Sequence, residues 1–353
     1  MTAFLVILVI ILFGVALWQI GKIFQLSKPA STETTQIAND DDNNKQGYYM
    51  LGLLAFIYIL MAICFWLWGD VLLPVSASEH GVGVDNLMLV SMVIIFVVGI
   101  LTQWLLLYFS FKYRGEKGKK ALFYADNDKL EFIWTIIPVI VLAALIIYGL
   151  FTWSDIMKVD PDDDPIVIEL YAKQFSWIAR YAGADNALGK ANVRLIEGVN
   201  QLGVDVSDPN AQDDIVVNEL HLPKGRKVLF KIRSQDVLHS AYMPHFRAQM
   251  NCVPGMITQF AFTPTMTTQE MRQENDIVDK VKHINELRKE KSKKLVAKGE
   301  EPLEPYEFDF LLLCNKICGS SHYNMQMKIV VEEEQDFNNW LAQQPTFSKM
   351  IKQ

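Results

Sequence analysis

The chain has 353 residues, room for about two domains, and 51% of them are hydrophobic, which is high for a soluble protein. A formal net charge of −7 excludes a nucleic-acid binder of the usual basic kind and allows a basic partner such as a cationic redox carrier. The apolar residues crowd into the first 153 positions, so the chain reads as a membrane part followed by a water-facing part.

Four runs are apolar, free of Lys and Arg, and close to the roughly 20 residues that cross a bilayer: 3–20, 49–69, 88–111 and 132–153. The first has no basic n-region and is long for a signal-peptide core, so it is read as a retained helix. Loop charge sets the orientation. Lys112, Arg114, Lys117, Lys119, Lys120 and Lys129 fall in 112–129, whereas 70–87 has no Lys or Arg. The positive-inside rule puts 112–129 in the cytoplasm and 70–87 outside. The linker 21–48, Asp/Asn-rich around 39–44 and read as flexible, is then inside. Everything after Trp153 is outside, which in a bacterium is the periplasm. Pro138 in the fourth run is tolerated because neighbouring helices satisfy the freed carbonyl. Glu131 is acidic at the inner end of that run. It reads either as a carboxylate that exchanges protons with water or as one favoured by the start of a helix.

The pattern changes near residue 166. Short β-branched or aromatic stretches at 166–171, 227–233, 256–263, 308–313 and 327–331 predict strands, and their number predicts a sandwich or barrel. Two segments interrupt them. Residues 182–214, rich in Gly, Asn and Asp, predict a loop insertion. Residues 269–304 carry nine basic and nine acidic side chains, with Ile277, Val281 and Ile284 at helical spacing. They predict a projecting helix or helical hairpin, either solvated or used for docking. The expected organisation is 1–48 (first helix and inner linker), 49–87 (second helix and outer loop), 88–153 (a helical hairpin), 154–340 (the outer domain) and 341–353 (a tail).

Cys64 and Cys252 read as packing residues. Cys314, Cys318, His322 and Met325 fall within twelve positions, and all are soft or borderline donors. Thiolate and thioether select copper, zinc or iron–sulfur over hard cations. The Cys-x3-Cys-x3-His-x2-Met spacing departs from the paired ligands of structural zinc, and methionine is a poor zinc ligand. A disulfide between the two cysteines is the metal-free alternative. His239, in Ser234-Gln-Asp-Val-Leu-His-Ser240, supplies a second imidazole. Two cysteines, two histidines and a methionine exceed the needs of one copper, which indicates a two-copper centre bridged by the thiolates.

With these motifs in order the chain resembles subunit II of cytochrome c oxidase, in the haem–copper oxidase family. The matching residues are Asn127-Asp-Lys-Leu-Glu131-Phe-Ile-Trp134 running to Pro138, Gln174-Phe-Ser-Trp177, Leu220-His-Leu-Pro223, Ser234 to Ser240, Pro244-His-Phe-Arg247, Val253-Pro-Gly255 and the Cys314 to Met325 loop. The resemblance implies an α plus all-β chain: transmembrane helices, then a periplasmic cupredoxin-like β-barrel with a dinuclear CuA centre. Cys314 and Cys318 would bridge two coppers, His239 and His322 would be terminal ligands, and Met325 and the backbone carbonyl of Lys316 would complete the set. It also implies electron flow from a cytochrome c donor to haem in subunit I, with subunit III as a further partner, and Glu131 at the mouth of a proton channel. Phe175 and Trp177 would be the aromatics that receive the electron.

Several residues depart from the family pattern. Lys316 replaces a Glu that helps bind magnesium or manganese, and a cation there repels that ion. Phe175 replaces a Trp. Gln249 and Asn251 replace charged residues. The first two helices and 269–304 are additions, which imply extra partners such as another respiratory complex. Quinol oxidase subunits lack the copper ligands, and nitrous oxide reductase joins its centre to a propeller for which this chain has no room. A metal-free anchoring subunit is the reading from a different functional class.

Overall fold

A computed structural model describes residues 2–26, 39–69 and 72–351. Helix α1 spans Thr2–Leu26, and its stretch Ile11–Ile23 is shorter than a full span. Helices α2 (Asp40–Trp68), α3 (Gly81–Lys112) and α4 (Asp128–Met157) are each long and apolar enough to cross a membrane. The chain divides into two units, one comprising residues up to 69 with 95–128, the other 70–94 and 129 onward.

In the first unit α2 begins nine residues before its apolar run. The polar 39–44 stretch, expected to be flexible, is its N-terminus. Asn39 caps it by accepting a hydrogen bond from the Asp42 amide at 2.8 Å, and Asp40, Asp41 and Asp42 complement the helix dipole. Residues 27–38 of the expected linker lie outside the described residues. The basic loop after α3 is tied to this helix start. Arg114 Nε donates to Asn44 Oδ1 at 2.6 Å, and the Lys117 amide donates to Asp40 Oδ1 at 2.9 Å. Gly47 makes the approach possible, since a Cβ there would lie 2.9 Å from Arg114 Cδ. The loop and the start of α2 therefore share one side, as the charge pattern requires.

The second unit contains α4 and the outer domain. Its strands are β1 (Ile166–Lys173), β2 (Ser176–Tyr181), β3 (Ile215–Val217), β4 (Leu220–Pro223), β5 (Val228–Ser234), β6 (His239–Met243), β7 (Ala248–Cys252), β8 (Thr258–Phe262), β9 (Phe310–Cys314) and β10 (Gln326–Glu332). They form two five-stranded sheets, ordered β3-β2-β1-β5-β8 and β4-β10-β9-β6-β7. The pairs β1–β5 and β4–β10 are parallel and the others antiparallel. Ile168, Leu170, Phe230 and Ile232 of one sheet and Phe310, Leu312, Ile329 and Val331 of the other fill the core between them at period-two spacing.

The first sheet also buries charge. Arg180, 2% exposed, donates to Glu169 at 2.7 Å, to Asp214 at 2.8 Å and to the Gly189 carbonyl at 3.0 Å. Arg233 pairs with the other oxygen of Glu169. Asp214 also accepts from the Gly189 amide, so this cluster pins the 182–214 insertion to the sheet. Burial pushes the Asp214 carboxyl up to about 6 despite the neighbouring guanidinium.

The expected helical insertion is α5 (Thr268–Met271), with a capping box from Thr267 and Glu270, followed by α6 (Asn275–Val296). Ile277 is buried and Val281 packs beside it. The returning chain covers α6, with Asn285 bonded to both the amide and the carbonyl of Tyr306. Helices α7 (Glu334–Gln343) and α8 (Phe347–Ile351) fold back onto the domain, where Phe347 is buried.

The segment between α2 and α3 also joins the domain. The Ala77 amide donates to the His245 carbonyl at 2.7 Å, Ser78 Oγ donates to the Phe246 carbonyl at 2.7 Å, and Arg247 grips Asp85 of α3 through two nitrogens at 2.7 and 2.9 Å. At the other stalk, Ile156 and Met157 of α4 pack against the main core.

Candidate metal centre

Strands β9 and β10 are antiparallel neighbours, so the loop joining them leaves and returns at one end of the sheet. The Cys314 amide closes its base by donating to the Met325 carbonyl at 3.1 Å. Within it, the His322 amide donates to the Gly319 carbonyl at 3.3 Å and the Met325 amide to the His322 carbonyl at 3.2 Å, forming the tight turn His322–Asn324. Gly319 has φ of 144°, and a Cβ there would lie 2.8 Å from the Phe175 ring, so no larger residue fits the turn. The register β6–β9 sets Ala241 opposite Cys314, which brings His239, two residues before Ala241, to the loop.

The result is a compact donor set. The sulfurs of Cys314 and Cys318 lie 3.9 Å apart. Cys314 Sγ is 3.7 Å from His239 Nδ1 and 3.2 Å from the Lys316 carbonyl oxygen. Cys318 Sγ is 3.6 Å from His322 Nδ1 and 3.8 Å from Met325 Sδ. Each sulfur thus has one imidazole nitrogen and one weaker donor beside it. His239, Cys318 and Met325 are buried, whereas Lys316 carries its ammonium to the surface while its carbonyl faces inward. Burial and the adjacent Cys314 push the Cys318 thiol up to about 11, so a metal taking this sulfur as thiolate displaces its proton.

Two residues that the sequence reading quoted within its motifs without giving them a role hold the ligands. Asp236 Oδ1 lies 2.8 Å from His239 Nε2, which fixes the ring with Nδ1 toward the sulfurs. Gln174 donates its amide N–H to Asp236 Oδ2 at 2.7 Å and its side-chain amide to the Cys318 carbonyl. Burial pulls the Asp236 carboxyl up, but bonds from the Gln174 amide, His239 and the Val237 amide outweigh it and hold it below the usual carboxylate range. The sequence signal was an Asp three residues before a His in a non-helical stretch.

The expected aromatics are also here. Phe175 packs against Gly319, and Trp177 stands edge-on to His239 with ring centroids 6.3 Å apart. The buried Trp177 indole N–H makes no hydrogen bond among the described residues. Cys252, opposite His239 in the β6–β7 register, is fully buried, and burial pushes its thiol up to about 12. Glu131 lies elsewhere, exposed near the start of α4.

Sulfur, imidazole and thioether donors in this arrangement fit soft or borderline metals and not hard cations. Position 316 offers a magnesium or manganese ion no carboxylate.

The profile described as "Cytochrome C oxidase subunit II, transmembrane domain" matches residues 66–151, and "Cytochrome C oxidase subunit II, periplasmic domain" matches 166–281. The "Alternative cytochrome c oxidase subunit 2" of Bradyrhizobium diazoefficiens is 32% identical over 243 residues, covering 68% of this chain and 73% of that one. The "Cytochrome c oxidase subunit 2" of Thermostichus vulcanus is 23% identical over 300 residues, covering 77% and 78%. Among solved structures, the periplasmic domain of subunit II of the Bradyrhizobium japonicum oxidase is 19% identical and covers 50% of this chain and 91% of that one, with a TM-score of 0.28 that adds nothing to the assignment. The chain, with its apolar helices, two-sheet outer domain and sulfur-rich loop, belongs to the cytochrome c oxidase subunit II family and is a component of an oxidoreductase complex.

Proposed function

We propose that this chain is the electron-accepting subunit of a respiratory oxidase in a bacterial inner membrane, with its outer domain in the periplasm. It takes electrons from a cytochrome c and passes them to haem in subunit I, where reduction of O2 is coupled to proton pumping. The observation that carries this reading is the donor set at the β9–β10 loop, where two sulfurs 3.9 Å apart each have an imidazole Nδ1 within 3.7 Å.

Cys314, Cys318, His239, His322, Met325 and the Lys316 carbonyl would hold a copper pair. The pair, when bound, supplies a one-electron relay. The chain's own residues supply the rest. Strands β6 and β9 fix the ligands on one rigid sheet, which limits rearrangement between oxidation states. Asp236 holds the tautomer of His239. Gln174 ties the Phe175 turn to the Cys318 backbone. Phe175 and Trp177 keep water from the outer side of the ligands and place two rings between solvent and the centre. Glu131, exposed near the inner end of α4, is positioned to exchange protons with water on the cytoplasmic side. Subunits I and III are the partners expected along the helices, and another respiratory complex is the partner assigned to the added helices and to 269–304.

The test is copper counting with electron paramagnetic resonance on the intact, active protein. Two coppers per chain and a seven-line pattern from one electron shared equally are expected. One copper or none would sink the reading.

A further inference from the structure

A cleft of about 700 Å³ opens on the outer face of the β4-β10-β9-β6-β7 sheet. Phe310 and Leu312 of β9 point into the core, so Leu311 and Leu313 of the same strand face the other way and floor the cleft. Residues 73–75, Ile277 of α6 and Phe308 supply further apolar walls. A volume of this size takes one small ligand. His245 also lines it. Its Nδ1 donates to the Val75 carbonyl at 3.0 Å, and burial, with smaller pushes from Lys280 and Arg247, pulls the imidazole down to about 4. His245 is therefore neutral at pH 7, and the interior of the cleft carries no charge there.

The mouth is different. Asp276, Asp279, Lys280 and His283 line it from one face of α6, at i, i+3, i+4 and i+7, and all four are exposed. Asp309, the remaining charged lining residue, is taken by Arg272 at 3.0 Å. Asp276, Asp279 and Lys280 have no such partner among the described residues. The cleft also stands next to the start of an apolar helix. Arg247 donates to the Pro74 carbonyl at 2.6 Å and grips Asp85 of α3 with the same guanidinium. Asp85 is three residues before the apolar run that starts at 88, about 4.5 Å of helix rise. The 73–75 edge thus lies at the level where hydrocarbon gives way to headgroups.

We propose that this cleft holds one phospholipid of the outer leaflet, with an acyl chain over Leu311 and Leu313 and a zwitterionic ammonium–phosphate head against α6. Asp276 and Asp279 receive the ammonium, and Lys280 receives the phosphate. Two carboxylates against one lysine disfavour a head that is anionic only. The apolar floor takes the chain because burying it removes hydrocarbon from water at the membrane surface. Bound in this way, the lipid ties the 269–304 insertion to the bilayer through the first half of α6. The proposal does not depend on the copper reading.

The test uses the intact oxidase containing this chain, in nanodiscs of equal phosphatidylethanolamine and phosphatidylglycerol. Each lipid in turn carries a photoactivatable diazirine near the end of one acyl chain, and the labelled peptides are read by mass spectrometry. The ethanolamine probe should label 73–75 and 306–313 about tenfold more than the glycerol probe. The double substitution Asp276→Lys/Asp279→Lys, at exposed and unpaired positions, should erase that preference. Leu311→Trp, which fills the cleft, should abolish labelling at 73–75 by either probe and leave labelling of α4 unchanged. No label at 73–75 and 306–313 in the unaltered protein would overturn the site, whether the lipid is annular only or a partner subunit covers the cleft. Equal labelling by the two probes would overturn the zwitterionic head. Labelling at 73–75 that persists in Leu311→Trp would place the chain outside the cleft.

Discussion

The two sheets of the outer domain bury polar groups in opposite ways. The β3-β2-β1-β5-β8 sheet anchors Arg180, Glu169, Asp214 and Arg233 in a network of ion pairs, with Asp214 Oδ1 left without a hydrogen bond among the described residues. The β4-β10-β9-β6-β7 sheet ends in two sulfurs, two imidazole nitrogens and a thioether whose neighbours are one another. The first arrangement pairs its charges with one another and fixes the insertion. The second sets its lone-pair donors side by side and would be completed by the proposed metal. One domain thus separates a structural cluster from a candidate metal cluster, and each should fail independently of the other.

Cys318→Ser is expected to show the largest effect: loss of the near-infrared copper absorption and of cytochrome c oxidation, with membrane insertion and the outer fold intact. An unchanged spectrum would remove Cys318 from the ligands. Arg180→Leu attacks the opposite cluster. It leaves Asp214 buried without its cation and should cost about 3–5 kcal/mol of outer-domain stability by denaturant titration, while the folded fraction keeps two coppers. Copper missing from Arg180→Leu protein that is still folded would show that the clusters are not separable.

Asp236→Asn keeps the shape but removes the charge at His239 Nε2. Copper affinity should fall about 10–100-fold, read by competition with a chelator, because such partners orient and strengthen ligating imidazoles. Asp214→Asn tests pH. A carboxyl at about 6 when folded and near 3.8 when unfolded gives the folded state the extra proton between those values. Stability from Asp214 is then greatest below pH 4 and declines as pH rises to 6, and the Asn variant should lack that portion of the slope in denaturation at several pH values. Smallest of all, Lys316→Glu should leave the copper signal unchanged, since the donor at that position is the backbone carbonyl. A changed hyperfine pattern would contradict that role.

Much of this was legible in the sequence because the chemistry is local. Cys314, Cys318, His322 and Met325 share one loop, and residue type and spacing alone narrowed the metal. The apolar runs and five of the ten strands, β1, β5, β8, β9 and β10, were legible for the same reason, through hydrophobic length and period. What depends on register was not. His239 was named as a second imidazole, but the β6–β9 pairing that brings it to the loop was not visible, nor was the meeting of Gln174 with Asp236, 62 residues away in the chain. The early start of α2 was hidden because Asp and Asn read as linker until their fit to a helix N-terminus is considered. Arg180 and Asp214 sit in stretches whose composition gives no sign that they pair across 34 residues.

The grip of Arg247 on Asp85 has a mechanical consequence. A globular head on a single stalk can nod and swivel. This head is fastened twice, at the outer end of α3 through Asp85 and at the outer end of α4 through Ile156 and Met157. Two anchorage points resist rotation that one would allow. Tunnelling rates decay exponentially with distance, so under the proposed electron-transfer role a head that cannot nod would give each successive electron the same gap to cross.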